Sequence, residues 1–206
     1  NKIMDLTYHY HRDSDLVSEK PEFSNDYLEI VNTLENITDE DLVVSFNARK
    51  KERSNIKSLS EPINSLIKER LKNLGWASES GIFKEPPYNK TNSSRWRLDF
   101  AKNNISVEVA FNHGEAIAHN IMKPVLASEL NHVQKEIQTK MGVIIVATEK
   151  MKTKGGFDGA VGTFEKFIEY FKPYNMLIPT PIVLIGLKQP QTFYMDTKNK
   201  EVVSQT

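Results

Sequence analysis

In the stretch "LDFAKNNISVEVAF", residues 98–111, two acids, Asp99 and Glu108, interrupt short apolar runs. Trp96, Leu98 and Phe100 alternate with Arg97 and Asp99. After a turn at "KNN", Ile105, Val107, Val109 and Phe111 alternate with Ser106, Glu108, Ala110 and Asn112. A hairpin turned at 102–104 therefore brings Asp99 beside Glu108 on an open face, with Val107, Val109 and Phe111 facing the core. Like charges this close repel unless a pKa rises or a divalent cation sits between them. Oxygen ligands of this kind suit Mg²⁺, which uses one or two carboxylates, keeps several waters and binds substrate phosphate. A cation so held polarises a phosphoryl oxygen and acidifies bound water, the basis of phosphodiester hydrolysis. The competing reading of the same spacing is two solvated acids on an edge hairpin.

Other elements must position this hairpin. Tyr27, Leu28, Ile30, Val31 and Leu34 share a face and predict a helix over 25–38. Residues 43–62 are polar and basic without a period and read as a loop or arm. Ile63, Leu66, Ile67, Arg70, Leu71 and Leu74 predict a second helix, with Pro62 in its first turn and Gly75 at its end. Residues 85–94 read as a loop. The segment 114–139 reads as a helix broken at Pro124. "GVIIVAT" and "TPIVLIGL" are apolar strands covered on both sides. Between them lie a basic, glycine-rich loop, 149–162, and a helix, "TFEKFIEYFKPY". This order predicts an α/β fold, a mixed central sheet flanked by helices, formed by one domain. Within it, residues 1–46 are an acidic helical part, 47–188 the core and 189–206 a tail.

Composition excludes several classes. The 206 residues contain no cysteine, so thiolate nucleophiles, disulfide scaffolds and cysteine zinc sites are ruled out. Neither a membrane span nor a signal pattern is evident, so a soluble, cytoplasmic protein is expected. The zero net charge hides an asymmetry. Residues 1–46 hold 3 Lys/Arg against 11 Asp/Glu, whereas residues 47–102 hold 13 against 6. A basic middle of this kind suits a phosphate-facing surface, or is an ordinary solvated mixture. Arg49, Lys50, Lys51, Arg53 and Lys57 form its densest run and are candidates for contacting a nucleic-acid backbone. His9, His11 and His132 read as surface or partly packed imidazoles, and neither His113 nor His119 is assigned as a metal ligand.

Asp99 and Glu108 followed by Val109 and Phe111, preceded by Asn64, Ile67, Lys68 and Leu71 and followed by Pro181 to Leu187, resemble the BglII and BstYI type II restriction endonucleases, of the wider PD-(D/E)xK nuclease group. "AHNIMKPVLA", 118–127, is similar to the related BamHI enzyme. The resemblance runs loosely from residue 45 to 188 and implies a restriction-endonuclease-like core. It also implies Mg²⁺-dependent cleavage of palindromic duplex DNA to 5′-phosphate ends by a homodimer. Asp99, Glu108 and the Val109 carbonyl would be metal ligands. Lys152, Lys154 and the backbone of Gly155 and Gly156 would read the major groove, and 116–130 would form the dimer interface. The departure is Ala110, where the wider group keeps Lys, BamHI has Glu, and BglII and BstYI have Gln. Alanine cannot orient water or stabilise charge. Either Asn112, His113, Glu115 or Asn64 takes over that role, or an adjacent DNA phosphate does, or the residue was engineered, or the protein binds DNA without cutting it. A repair or recombination nuclease on the same fold is the further alternative.

Overall fold

The structure, a computed structural model, describes residues 2–90, 94–129 and 133–206. From the N-terminus the chain runs β1 (Leu6–His11), α1 (Ser14–Val17), α2 (Ser24–Glu35), α3 (Asp39–Glu52), α4 (Ser60–Asn73), β2 (Ala77–Gly81), β3 (Arg97–Lys102) and β4 (Ile105–Val109). It continues through α5 (Ile117–Ser128), β5 (Met141–Ala147), α6 (Glu149–Lys154), α7 (Phe164–Phe171), β6 (Ile182–Leu187), β7 (Phe193–Asp196) and β8 (Glu201–Ser204). Six strands make the central sheet in the order β1-β6-β5-β4-β3-β2. β4, β5 and β6 are parallel, while β1, β3 and β2 join antiparallel.

The expected mixed sheet flanked by helices is thus present, and its apolar runs show why both faces must be covered. In β5, Val143, Ile145 and Ala147 enter one core with Ile30, Leu34, Phe46, Ile63, Ile67 and Leu71 from α2, α3 and α4. Ile144 and Val146 enter a second core with Ile117, Ile121, Phe164, Phe167 and Phe171 from α5 and α7. β6 divides the same way, Val183, Ile185 and Leu187 against Ile182 and Leu184. Strand alternation sends successive side chains to opposite layers.

Several boundaries differ from the sequence expectation. Of residues 43–62, expected as a loop or arm, 60–62 belong to the first turn of α4 and 43–52 to helix α3. Thr38 and Asp41 form a capping box, the first turn is acidic, and Arg49, Lys50 and Lys51 occupy the last turn. These charges complement the helix dipole, so the basic run is largely a helix end. Leu42 and Phe46 anchor this helix in the core, whereas Leu28 on α2 and Leu74 after α4 are exposed. The segment 149–162 begins with the helix α6, whose Thr148 cap accepts from Met151 N. The helix expected over 114–139 ends at Ser128, and Pro124 lies inside it without dividing it. Residues 1–46 are not wholly helical, since β1 forms an edge of the sheet. Residues 189–206 include the β7–β8 hairpin, with Phe193 and Met195 buried in the first core. Asp39 ties this hairpin down by accepting from Gln191 N, Thr192 N and Thr192 Oγ1.

Candidate active site

The β3–β4 ladder pairs Lys102 with Ile105, Ala101 with Ser106 and Phe100 with Val107. Continued by one step, this register sets Asp99 opposite Glu108. There the carboxylates take over from ladder hydrogen bonds. Asp99 N donates to Glu108 Oε1 at 3.2 Å, and Val109 N donates to Asp99 Oδ2 at 2.7 Å. This reciprocal lock holds both acids at one mouth of the hairpin.

The face carrying Glu108 is not open, contrary to the sequence expectation. Glu108 is 2% exposed and Ala110 is 1% exposed, because α5 lies over them. Val109 and Phe111 are only half-buried on the opposite side. Burial, then the neighbouring Asp99 charge, raises the Glu108 carboxyl well above its usual range. Burial also raises Asp99, opposed by the hydrogen bond from Val109 N and by the Lys123 charge. Such a pair is costly without a compensating cation.

One cation comes from the chain itself. Lys123 of α5, 8% exposed, places Nζ 3.3 Å from Glu108 Oε2. Sequence reading missed it, although Lys123 is the one Asp, Glu, Lys or Arg in the stretch from Ile117 to Ser128. A lysine on a buried helix face is the signal that was available.

Both acids and Lys123 line a cleft of about 450 Å³ with Asn64, Glu79, Arg95, Arg97, Val109, Asn112, His119 and Asn120. Asn64 and Asn112, two candidates for the role missing at Ala110, are thus brought to the acids, and Asn112 Oδ1 accepts from Asn120 Nδ2 at 3.2 Å. The other two candidates are not. Glu115 is exposed outside the cleft, and His113 lies 3.7 Å from Asp158 on the surface. His119 has its pKa lowered by burial and then by the Lys123 charge. Sequence alone gives Arg95, just before β3, no role, places Arg97 on the strand of Asp99 without one, and leaves His119 unassigned.

The candidate DNA-contacting residues lie outside the cleft. Arg49 and Arg53 pair with Glu61, and Lys50 reaches the Lys200 carbonyl, while Lys51 and Lys57 are exposed. Lys152 pairs with Glu149 at 3.3 Å, and Lys154 lies over the Tyr194 ring. Gly155 and Gly156 are buried. A Cβ on Gly156, at φ +69°, would come within 2.6 Å of the Lys57 carbonyl oxygen, so close packing against 57–59 requires that glycine. The backbone expected to read the major groove is, at these two glycines, packed against neighbouring chain. Of the expected interface 116–130, Leu130 lies outside the described residues, as does His132. Ile117, Ile121, Pro124, Val125 and Ala127 of α5 face the sheet and are buried.

Comparison with known proteins places this geometry. The family model described as restriction endonuclease BglII/BglIII matches residues 6–187. Among solved structures, the restriction endonuclease BglII complexed with a DNA 16-mer superposes with a TM-score of 0.62 at 18% identity, covering 98% of this chain and 89% of that one. Free BglII gives a TM-score of 0.52 at 16% identity, covering 93% and 83%. No curated protein sequence matches the chain. The class is that of the type II site-specific endonucleases. Within that class, the chain belongs to the restriction endonuclease BglII/BglIII family.

Proposed function

We propose that this protein hydrolyses phosphodiester bonds at a palindromic site in duplex DNA, with Mg²⁺, as a homodimer, leaving 5′-phosphate ends. The observation that carries this reading is the pair Asp99 and Glu108, locked side by side in a cleft that also holds Arg95, Arg97 and Lys123. The donor set suits a hard divalent cation. Among the described residues no group of three His, Cys, Asp or Glu could hold a metal, and Mg²⁺ needs only one or two carboxylates when water and phosphate complete its shell. Asp99 and Glu108, with the Val109 carbonyl, would hold it. When bound, it polarises the phosphoryl oxygen and acidifies water.

The chain's own groups do the rest. Arg95 and Arg97 bring positive charge to the mouth of the cleft and draw in the DNA backbone, and Asn64 and Asn112 offer neutral hydrogen bonds to water or phosphate. Arg49, Lys50, Lys51, Arg53 and Lys57 supply further phosphate contacts along the duplex, and Lys152 and Lys154 read base edges in the major groove. The whole chain works as one endonuclease domain, in the cytoplasm where incoming DNA is met. No helix among the described residues is long and apolar enough to cross a membrane.

Incubation with unmethylated phage DNA and Mg²⁺ tests the reading. Discrete fragments with 5′-phosphate ends are expected, and none should form in EDTA. Sequence-specific retention without cutting would instead support a binder, the reading that Ala110 favours. A smear would point to a nuclease that reads DNA shape.

A further inference from the structure

We propose that Lys123 supplies, from helix α5, the positive group that strand β4 lacks at Ala110, and that it contacts the reacting phosphodiester and its attacking water. This rests on the nuclease reading above. Ala110 follows Glu108 by one strand alternation, but its side chain is packed among Ile117 and Ile121. A small residue there lets the helix lie close. Two further small residues serve the same approach. Ala127 is fully buried, and a Cβ on Gly142 of β5 would fall 2.4 Å from Pro124 Cβ, so the turn of α5 that carries Lys123 sits directly on the sheet.

The helix so placed delivers an ammonium to the acids. Lys123 Nζ lies 3.3 Å from Glu108 Oε2, in the cleft lined by Asp99, Arg95 and Arg97. An ammonium has three N–H groups to give, and among the described residues it donates to Glu108 Oε2. Packing alone would be met by leucine or methionine at far lower desolvation cost. The charges also balance. Two carboxylates offset a divalent cation, leaving the Lys123 charge to face the phosphate.

In the step itself Lys123 acts as a hydrogen-bond donor and not as a base. Its N–H groups hold the attacking water and a non-bridging oxygen while the new bond to phosphorus forms and the bond to the 3′ oxygen breaks. The water gives its proton to solvent, and the 3′ oxygen takes one from solvent. Fixed donors of this kind stabilise charge that develops only in the transition state.

The test is the Lys123→Gln variant, in which the amide still hydrogen-bonds Glu108 but carries no charge. In single-turnover cleavage at saturating Mg²⁺, a loss of about 10²- to 10³-fold is expected. Mn²⁺ binding to the DNA-free variant, measured by calorimetry, should be unchanged or tighter, because a competing positive charge has gone. Cleavage by Lys123→Ala should recover in part on adding ethylammonium.

Cleavage by Lys123→Gln within about threefold of native would overturn the proposal, well below the effect of a lost transition-state donor. So would Mn²⁺ affinity that falls in step with the rate, since Lys123 would then merely hold Glu108. If the native protein cuts no DNA, the nuclease reading falls and this inference with it. A cutting native protein with an equally active variant removes Lys123 alone.

Discussion

At the scale of single residues, Asp99 and Glu108 are opposite in consequence although alike in chemistry. Asp99 faces Glu108 and accepts from Val109 N, an acceptor role that an asparagine oxygen can keep. Asp99→Asn therefore removes like-charge repulsion at little structural cost. We expect metal-free stability to rise by up to about 1 kcal/mol, the range for charged cross-strand pairs. Glu108→Gln instead removes the carboxylate that pairs with the buried Lys123. Leaving that ammonium without its counter-charge should cost about 1–3 kcal/mol. Both variants should lose cleavage. Thermal melts in EDTA check the signs, and a stabilised Glu108→Gln would contradict the described pairing.

At the scale of elements, the position of α5 over the sheet decides whether Lys123 reaches the acids. Gly142 is the point of closest approach. In Gly142→Ala the new methyl would lie 2.4 Å from Pro124 Cβ, so the helix must shift. Overpacking of this kind costs about 1–3 kcal/mol. We expect a lower melting temperature and a fall in cleavage rate larger than the fall in DNA affinity, because the displaced turn carries Lys123 and not the exposed basic surface. A rate unchanged alongside a lower melting temperature would mean that helix placement is unimportant to the site. The elements also show what could be read without coordinates. The alternation around Asp99 and Glu108 was legible, as were the two-sided burial of β5 and β6 and the stripe of α4, because each follows from a period of two or 3.6. Helix α3 was not, because its stability comes from a capping box and from terminal charges more than from an apolar stripe. The lone lysine of α5 could be noticed, but its meeting with Glu108 was not legible, because strand and helix meet at Ala110 through tertiary packing and a pattern on β4 cannot announce a side chain arriving from another element.

At the scale of the whole molecule, the acidic N-terminal segment and the basic middle are partners. Asp26 and Glu29 pair with Lys102 at 3.8 and 3.0 Å, and Asp41 pairs with Arg70 at 2.9 Å. With β1 along β6, the segment covers the sheet and neutralises part of the positive surface. On the proposed reading, what remains for DNA is concentrated in the cleft and at the exposed lysines. A two-fold symmetric target then asks for two copies of one cleft. If α5 joins them, it must do so through its outer residues, since its inner face is spent on the sheet. Ala118 and Met122, four apart and half-buried, are what that side offers, Met122 also packing in part against the second core. We expect native protein to sediment at twice the mass of one chain, and Met122→Glu to shift it toward the monomer with a modestly lower melting temperature, since that partial core packing is lost. On a plasmid with one site, that variant should nick one strand or cut slowly, because the second strand must wait for a second monomer. A Met122→Glu protein that stays dimeric and cuts both strands together would move the interface off α5, and a native protein that is monomeric with and without DNA would remove the dimer itself.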